Sequence, residues 1–192
     1  ELKVPPLLAS CVPSPAVAMW RSFYLYFIQQ QVEQHHITET LIIKSELIEK
    51  LIISARNRSV LTAQMLFESD VKSAGFERLI QQFERDAVIV VESREAYMRI
   101  ADDYERGLLN QHYELASLNR SQQDYMLDLL KSGERALASQ EYIQATLPVQ
   151  EQALSLLDAM HAYIAEQRNT NRQMINQLIE RLTLIVTYST GF

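Results

Sequence analysis

The sequence predicts an all-α protein: an antiparallel up-down-up-down four-helix bundle with long first and fourth helices. Three observations carry that reading. Only four glycines and five prolines occur among 192 residues, and four of the prolines fall in the first fifteen, so almost nothing interrupts the chain after Ala16. Apolar residues then recur at three- and four-residue steps, the spacing of one helix face packed on another. The stretches that break this pattern are short, and short connections make successive helices antiparallel neighbours.

Residues 1–15 read as an irregular leader and 16–192 as the bundle, with helices over about 18–67, 75–101, 107–132 and 135–190. In the first helix Leu41, Ile48, Leu51, Ile52, Ala55 and Met65 form the apolar stripe, which stops at "ESDVKSAG", where serine, aspartate and Gly75 supply turn chemistry. In the second, Phe76, Ile80, Phe83, Ala87, Val90, Tyr97 and Ala101 follow a 4-3-4-3 spacing that only Arg94 breaks. "ADDYERG" (101–107) reads either as the next turn, near Asp102 to Gly107, or as continuous helix with a weak glycine. The third helix carries Leu108, His112, Leu115, Met126 and Leu129 inward, and Gly133 closes it as a cap residue able to take positive φ. The fourth carries Ile143, Leu147, Leu154, Leu157, Ile164, Ile175, Leu178, Leu182 and Ile185. Pro148 lies inside that stripe and predicts a kink or restart, because its ring clashes with the preceding turn and it has no N–H to donate.

Composition excludes several functions. A net charge of −6 with the two signs interspersed leaves no basic stripe for phosphates, so nucleic acid is not an expected partner. No glycine-rich phosphate loop, nucleophile elbow or loop-borne Ser-His-Asp set occurs, so the chain is expected to be no enzyme and to need no cofactor. Counting levels along the helices brings His112 and His161 to similar depth, near Asp158 and Glu46, but a transition metal needs three or four ligands, and core histidines with hydrogen-bond partners are commoner. Glu33-x-x-His36 has no second copy at its own level, as a di-iron bundle requires, and no metal is expected.

The single cysteine, Cys11, ends the lipobox-like run Leu8-Ala9-Ser10-Cys11, yet the two prolines and short lead before it leave no apolar stretch of signal-peptide length. No segment offers the roughly 20 apolar residues of a spanning helix. Both ends nevertheless look membrane-adjacent: "AVAMWRSFYLYFI" (16–28) has the aromatic character of an interfacial belt, and "LTLIVTYSTGF" (182–192) reads like the opening of a spanning helix.

The stretch "SARNRSVLTAQML" (54–66) places two arginines in an otherwise buried stripe. Arg58 falls on the core-facing series Leu51, Ala55, Arg58, Thr62 and Met65, while Arg56 lies about 160° away, toward solvent or a partner chain. Counting down from a tip near Leu66 and Gln140 puts Arg58 level with Pro148 and within a turn of Gln150 and Glu151. A buried guanidinium must be compensated, and Glu151 is the expected counter-ion. Two uses stay open: an Arg58–Glu151 core pair that fixes the register of two long helices, or a fork of Arg58 and Arg56 toward a small anionic ligand, with Pro148 opening the helix wall.

Two blocks carry a family resemblance. "EKLIISARNRSVLTAQML" (49–66) resembles the "A-R-x-R-S" segment that ends the first helix of a periplasmic sensor domain found between two transmembrane helices in bacterial GGDEF and EAL signalling proteins. "LDLLKSGERALASQEYIQATLPVQEQAL" (127–154) resembles that family's "L-L-x-G" turn and "I-P-A-Q-D" segment, with Leu147-Pro148-Val149-Gln150-Glu151 in the matching place. Valine replaces alanine and glutamate replaces aspartate there. The resemblance covers roughly residues 40–165, and the architecture is also similar to chemoreceptor ligand-binding domains. It implies the periplasmic part of a bacterial inner-membrane receptor, working as a homodimer, which senses a small anionic ligand or a periplasmic protein and passes a helix displacement to a cytoplasmic output such as a diguanylate cyclase or phosphodiesterase. Two other classes fit an all-helical chain: a structural spacer or assembly protein of an envelope complex, and a helical pore-former with 16–28 as the inserting element.

Overall fold

The computed structural model describes residues 15–68 and 70–190, with side chains over 21–68 and 70–187. Four antiparallel helical rods make the bundle: α1 (Pro15–Phe67), α2 (Ala74–Met98), α3 (Asp103–Lys131), and a fourth rod composed of α4 (Arg135–Glu141), a π-helical segment (Tyr142–Thr146) and α5 (Leu147–Thr190). At 1.5 Å per residue the 53 residues of α1 extend about 80 Å, far beyond the 25 residues of α2. The expected leader and Cys11 lie outside the described residues, apart from Pro15, which opens α1. The last residues of the membrane-like terminal segment lie outside them as well.

Local chemistry explains where each rod stops. Ser73 caps α2 by accepting the Phe76 N–H at 3.0 Å, and Gly133 takes φ 87° after α3, as the sequence predicts. The turn expected over 101–107 is displaced. α2 ends at Met98, Asp102 is the N-cap of α3, and its side chain accepts the Glu105 N–H while the Glu105 carboxylate accepts the Asp102 N–H, both at 2.8 Å. Gly107 therefore lies inside α3 with open space where a Cβ would stand. The reciprocal cap outweighs the weak helix propensity of one glycine.

Pro148 produces its expected interruption just upstream of itself. The Leu147 N–H bonds the Tyr142 carbonyl, five residues back, so the backbone takes a π turn immediately before the proline that cannot donate. The extra residue rotates the rod by one helical step. Ala138, Thr146 and Gln150 face inward, and Ile143, expected in the stripe, is 63% exposed.

Two apolar clusters fill the bundle. The distal one joins Leu61, Met65 and Leu66 of α1 to Phe76, Phe83, Met126, Leu130 and Ala138. The other joins Ile48, Leu51 and Ile52 to Tyr97, Ala101, Leu109, Leu157, Met160 and Ile164. The stripes of α1 and α2 are thus largely as expected; in α3 Leu109, one residue beyond the expected Leu108, is fully buried. Beyond the α2–α3 turn α1 and α5 continue without the other two rods, as a two-helix stalk tied by Asn171 to Thr38 at 2.9 Å and Arg168 to Ser45 at 3.2 Å. Both long rods therefore run out at the same pole. No helix among the described residues is long and apolar enough to cross a membrane.

Candidate functional site

Arg58 does not meet Glu151. Its Nη2 donates to Gln123 Oε1 of α3 at 3.0 Å, and its guanidinium carbon lies 4.1 Å from the centroid of the Phe83 ring on α2. Glu151 is exposed; burial raises the pKa of Tyr142, and the charge of Glu151 raises it further. The expected pair fails on direction. Residues two apart on a helix point about 200° apart, so Arg56 faces Asp158 of α5 while Arg58 faces α2 and α3, and Glu151 stays on the exposed side of its rod.

Of the two arginines, Arg56 is the one that bridges α1 to α5. Its Nη2 reaches the Asp158 carboxylate oxygens at 3.1 and 3.4 Å, and both side chains are more than half exposed. Arg58 is compensated differently. Burial lowers its pKa, Arg120 lowers it further, and Glu84, Asp124 and Asp86 oppose the shift from a distance. Arg120 stands between two of these carboxylates, 3.6 Å from Glu84 and 3.8 Å from Asp124.

Around Arg58 the core becomes polar. On every rod the segment between the two apolar clusters carries buried or half-buried polar side chains: Arg58 on α1, Asp86 and Ser93 on α2, Asn119, Gln122 and Gln123 on α3, and Thr146 and Gln150 on the fourth rod. We call this level the waist. Thr62 donates to the Arg58 carbonyl at 2.8 Å and accepts from Gln123 Nε2 at 3.4 Å, so that corner is closed. Arg58 Nε, Asn119 Oδ1, Gln122 Oε1, Thr146 Oγ1 and Gln150 Oε1 are buried with no hydrogen-bond partner in the protein. Nearer the neck, His112 is also buried, its Nδ1 is unpartnered, and burial, helped by Arg94, lowers its pKa to about 4. His161 and Glu46, expected near it, are exposed, and no metal-binding group is formed among the described residues.

A second polar centre lies where the bundle narrows to the stalk. There Lys44 Nζ of α1 donates to Glu105 Oε2 at 2.6 Å, with both side chains buried. The Tyr97 hydroxyl of α2 donates to Glu105 Oε1 at 2.8 Å, and the Asp102 N–H donates to Oε2 at 2.8 Å. Tyr163 of α5 donates to Asp102 Oδ2 at 3.1 Å. Side chains from all four rods thus converge on one capping box. Burial and the adjacent Glu105 raise the Tyr97 pKa, keeping its hydroxyl a donor. Neither Lys44 nor Glu105 stood out in the sequence, although both left a trace. Lys44 sits three residues after Leu41 and four before Ile48, on the core face, and Asp102-x-x-Glu105 has capping-box spacing.

Comparison with models of protein families, with curated proteins and with solved structures gives no match to this chain. Function therefore has to be argued from the two polar centres and the stalk.

Proposed function

We propose that this chain is a transducing bundle: the extracytoplasmic, ligand- or partner-sensing part of a membrane receptor, which converts a change in the bundle into relative movement of α1 and α5. The observation that carries this reading is the neck. Glu105 and Asp102 collect side chains from all four rods where two of those rods continue alone, so a shift of α2 or α3 is mechanically tied to the stalk pair. The stalk is fit to carry such a shift, because its inter-helix contacts include single hydrogen bonds that are easily exchanged, such as Asn171 to Thr38 and Arg168 to Ser45. It also exposes apolar surface, with Tyr24, Tyr26, Val32 and Ile179 each more than half exposed, and an apolar groove of about 660 Å³ runs between its helices past Phe27, Ile175 and Leu182. A second copy of the stalk would cover that surface and complete a homodimer.

On this reading the signal works by differential affinity for two arrangements of the rods, and about 1.4 kcal/mol of difference changes their ratio tenfold. The periplasmic location, and a cyclic-nucleotide output module beyond the chain, belong to the same proposal and draw on the resemblance of residues 49–66 and 127–154. The test uses the native gene product in its own membranes. Protease added to spheroplasts should cut within residues 21–187 while protease outside sealed inverted vesicles should not; the opposite pattern sinks the reading. A disulfide between Thr38→Cys and Asn171→Cys should then freeze output in one state under oxidising conditions and release it on reduction.

A further inference from the structure

We propose that the stalk, on its side of the neck, carries a binding site for a small organic phosphate, held by Arg168 and Arg172 of α5 in an open cavity against α1. The inference concerns binding alone and does not depend on the transducer reading. The cavity has a volume of about 460 Å³, and both arginine side chains line it. That volume is within the range of small-molecule sites.

Charge singles out these two arginines. Arg56, Arg106 and Arg120 each meet a carboxylate, and Arg58 and Arg94 lie over aromatic rings. Among the described residues Arg172 has no hydrogen bond or ion pair, and Arg168 meets no carboxylate and gives a single N–H to Ser45 Oγ at 3.2 Å. Both side chains are exposed. They stand four residues apart and so share one face of α5, where two like charges repel. An anion between them turns that repulsion into attraction. No carboxylate lines the cavity. Glu166 lines a separate cavity that shares only Leu41 and Asn171 with this one, and Glu39 of α1 is held by His35 at 3.1 Å. The polar groups beneath the arginines are engaged with one another: Asn171 Nδ2 donates to Thr38 Oγ1 at 2.9 Å, and Thr38 donates to the Gln34 carbonyl at 2.8 Å.

The lining selects the class of ligand. A guanidinium presents its N–H groups as a planar fork that matches the oxygens of a phosphate. Two forks with two positive charges suit a phosphate monoester, which carries close to two negative charges at neutral pH on three acceptor oxygens. Asn169 adds an amide to the same wall. Leu41 and Ile42 of α1, with Ala165 and Ile175 of α5, supply an apolar wall that inorganic phosphate would leave bare and an organic body would cover. Such a phosphate comes either from a soluble ester or from a lipid headgroup.

Titration of the whole chain with phenyl phosphate tests the site, with calorimetry giving the affinity and the arginine Nε–Hε signals in NMR giving the location. The signals of Arg168 and Arg172 should shift saturably, with an affinity about tenfold above that for inorganic phosphate. Arg168→Gln/Arg172→Gln, at two exposed positions, should keep its helix content and bind at least about tenfold more weakly. Arg56→Gln, which removes an arginine already paired with Asp158, should bind as the native chain does. Flotation with vesicles is the second arm. Capture by phosphatidylglycerol but not phosphatidylcholine vesicles, kept in Arg56→Gln and lost in the double variant, assigns the phosphate to a lipid headgroup. The proposal is overturned if phenyl phosphate binds no better than inorganic phosphate, if the double variant keeps the native affinity, or if neither saturable binding nor vesicle capture is found.

Discussion

The neck and the waist are both polar interruptions of the same core, and they are built to opposite rules. At the neck every named group is matched: Glu105 accepts from Lys44, Tyr97 and the Asp102 amide, and Asp102 accepts from Tyr163 and the Glu105 amide. At the waist neutral amides and a hydroxyl are buried without protein partners. A matched buried network holds one geometry tightly, because any displacement leaves a charge desolvated and alone. Unmatched neutral groups have no single geometry to defend. The difference shows how one bundle can be stiff where it joins its stalk and compliant in the middle of the fourth rod, where the π turn and Pro148 already lower the local regularity.

The largest effect should come from breaking the neck. Glu105→Ala leaves Lys44 buried beside no carboxylate and removes half of the capping box, and urea unfolding should show a loss of about 3–5 kcal/mol. The paired replacement Lys44→Met/Glu105→Met should recover most of that loss. A double variant as unstable as the single one would mean that packing and not charge governs the neck.

Next in size is an effect of pH just above the neck. His112 is neutral in the fold with a pKa of about 4, against about 6.5 when unfolded. Its folded pKa is depressed, so between these values the unfolded chain binds more protons than the folded one. The stability contribution is present above about 6.5 and is lost as pH falls toward about 4, amounting to about 3 kcal/mol in full. Unfolding free energies measured from pH 7 to pH 4 should fall in the native chain and fall less in His112→Leu. Equal slopes would remove His112 from the account.

Waist substitutions should be milder and opposite in sign to those at the neck. Thr146→Val and Gln150→Leu remove acceptors that the protein does not satisfy, so each should change stability by about 1 kcal/mol or less, toward stabilisation. A loss comparable with that of Glu105→Ala would mean that these groups are fully bonded in solution. Smallest of all is the outer tie. Arg56 and Asp158 are 59% and 53% exposed, and Arg56→Ala should cost no more than about 1 kcal/mol and less at high salt.

How much of this the sequence disclosed follows from which physical signals are periodic. Apolar stripes and turn chemistry are local, so four rods, the Gly133 cap and the interruption at Pro148 could all be read directly from residue spacing. Register between rods is not local. Arg58 lies on the core-facing stripe that its spacing predicts, but which neighbouring rod it turns to is set by tertiary packing, and Gln123 and Phe83 stand where the sequence predicts Glu151. The neck was hidden for another reason. Lys44, Tyr97, Glu105 and Tyr163 lie on four different rods, and only their antiparallel packing brings them to one carboxylate pair. The waist left a visible sign in α3, where the polar run Asn119 to Asp124 separates Leu115 from Met126, yet a gap in a stripe does not say whether water or protein fills it.

Backbone hydrogen exchange, read residue by residue on the whole chain at neutral pH, puts the contrast between the two centres to the most direct trial. Amides of 105–109 and 160–164 at the neck should exchange only with global unfolding, while those of 143–147, 149 and 150 should exchange through a smaller local opening at least tenfold faster. Uniform protection along the fourth rod, or a neck that opens before the waist, would contradict the division of the bundle into a rigid coupling point and a compliant middle.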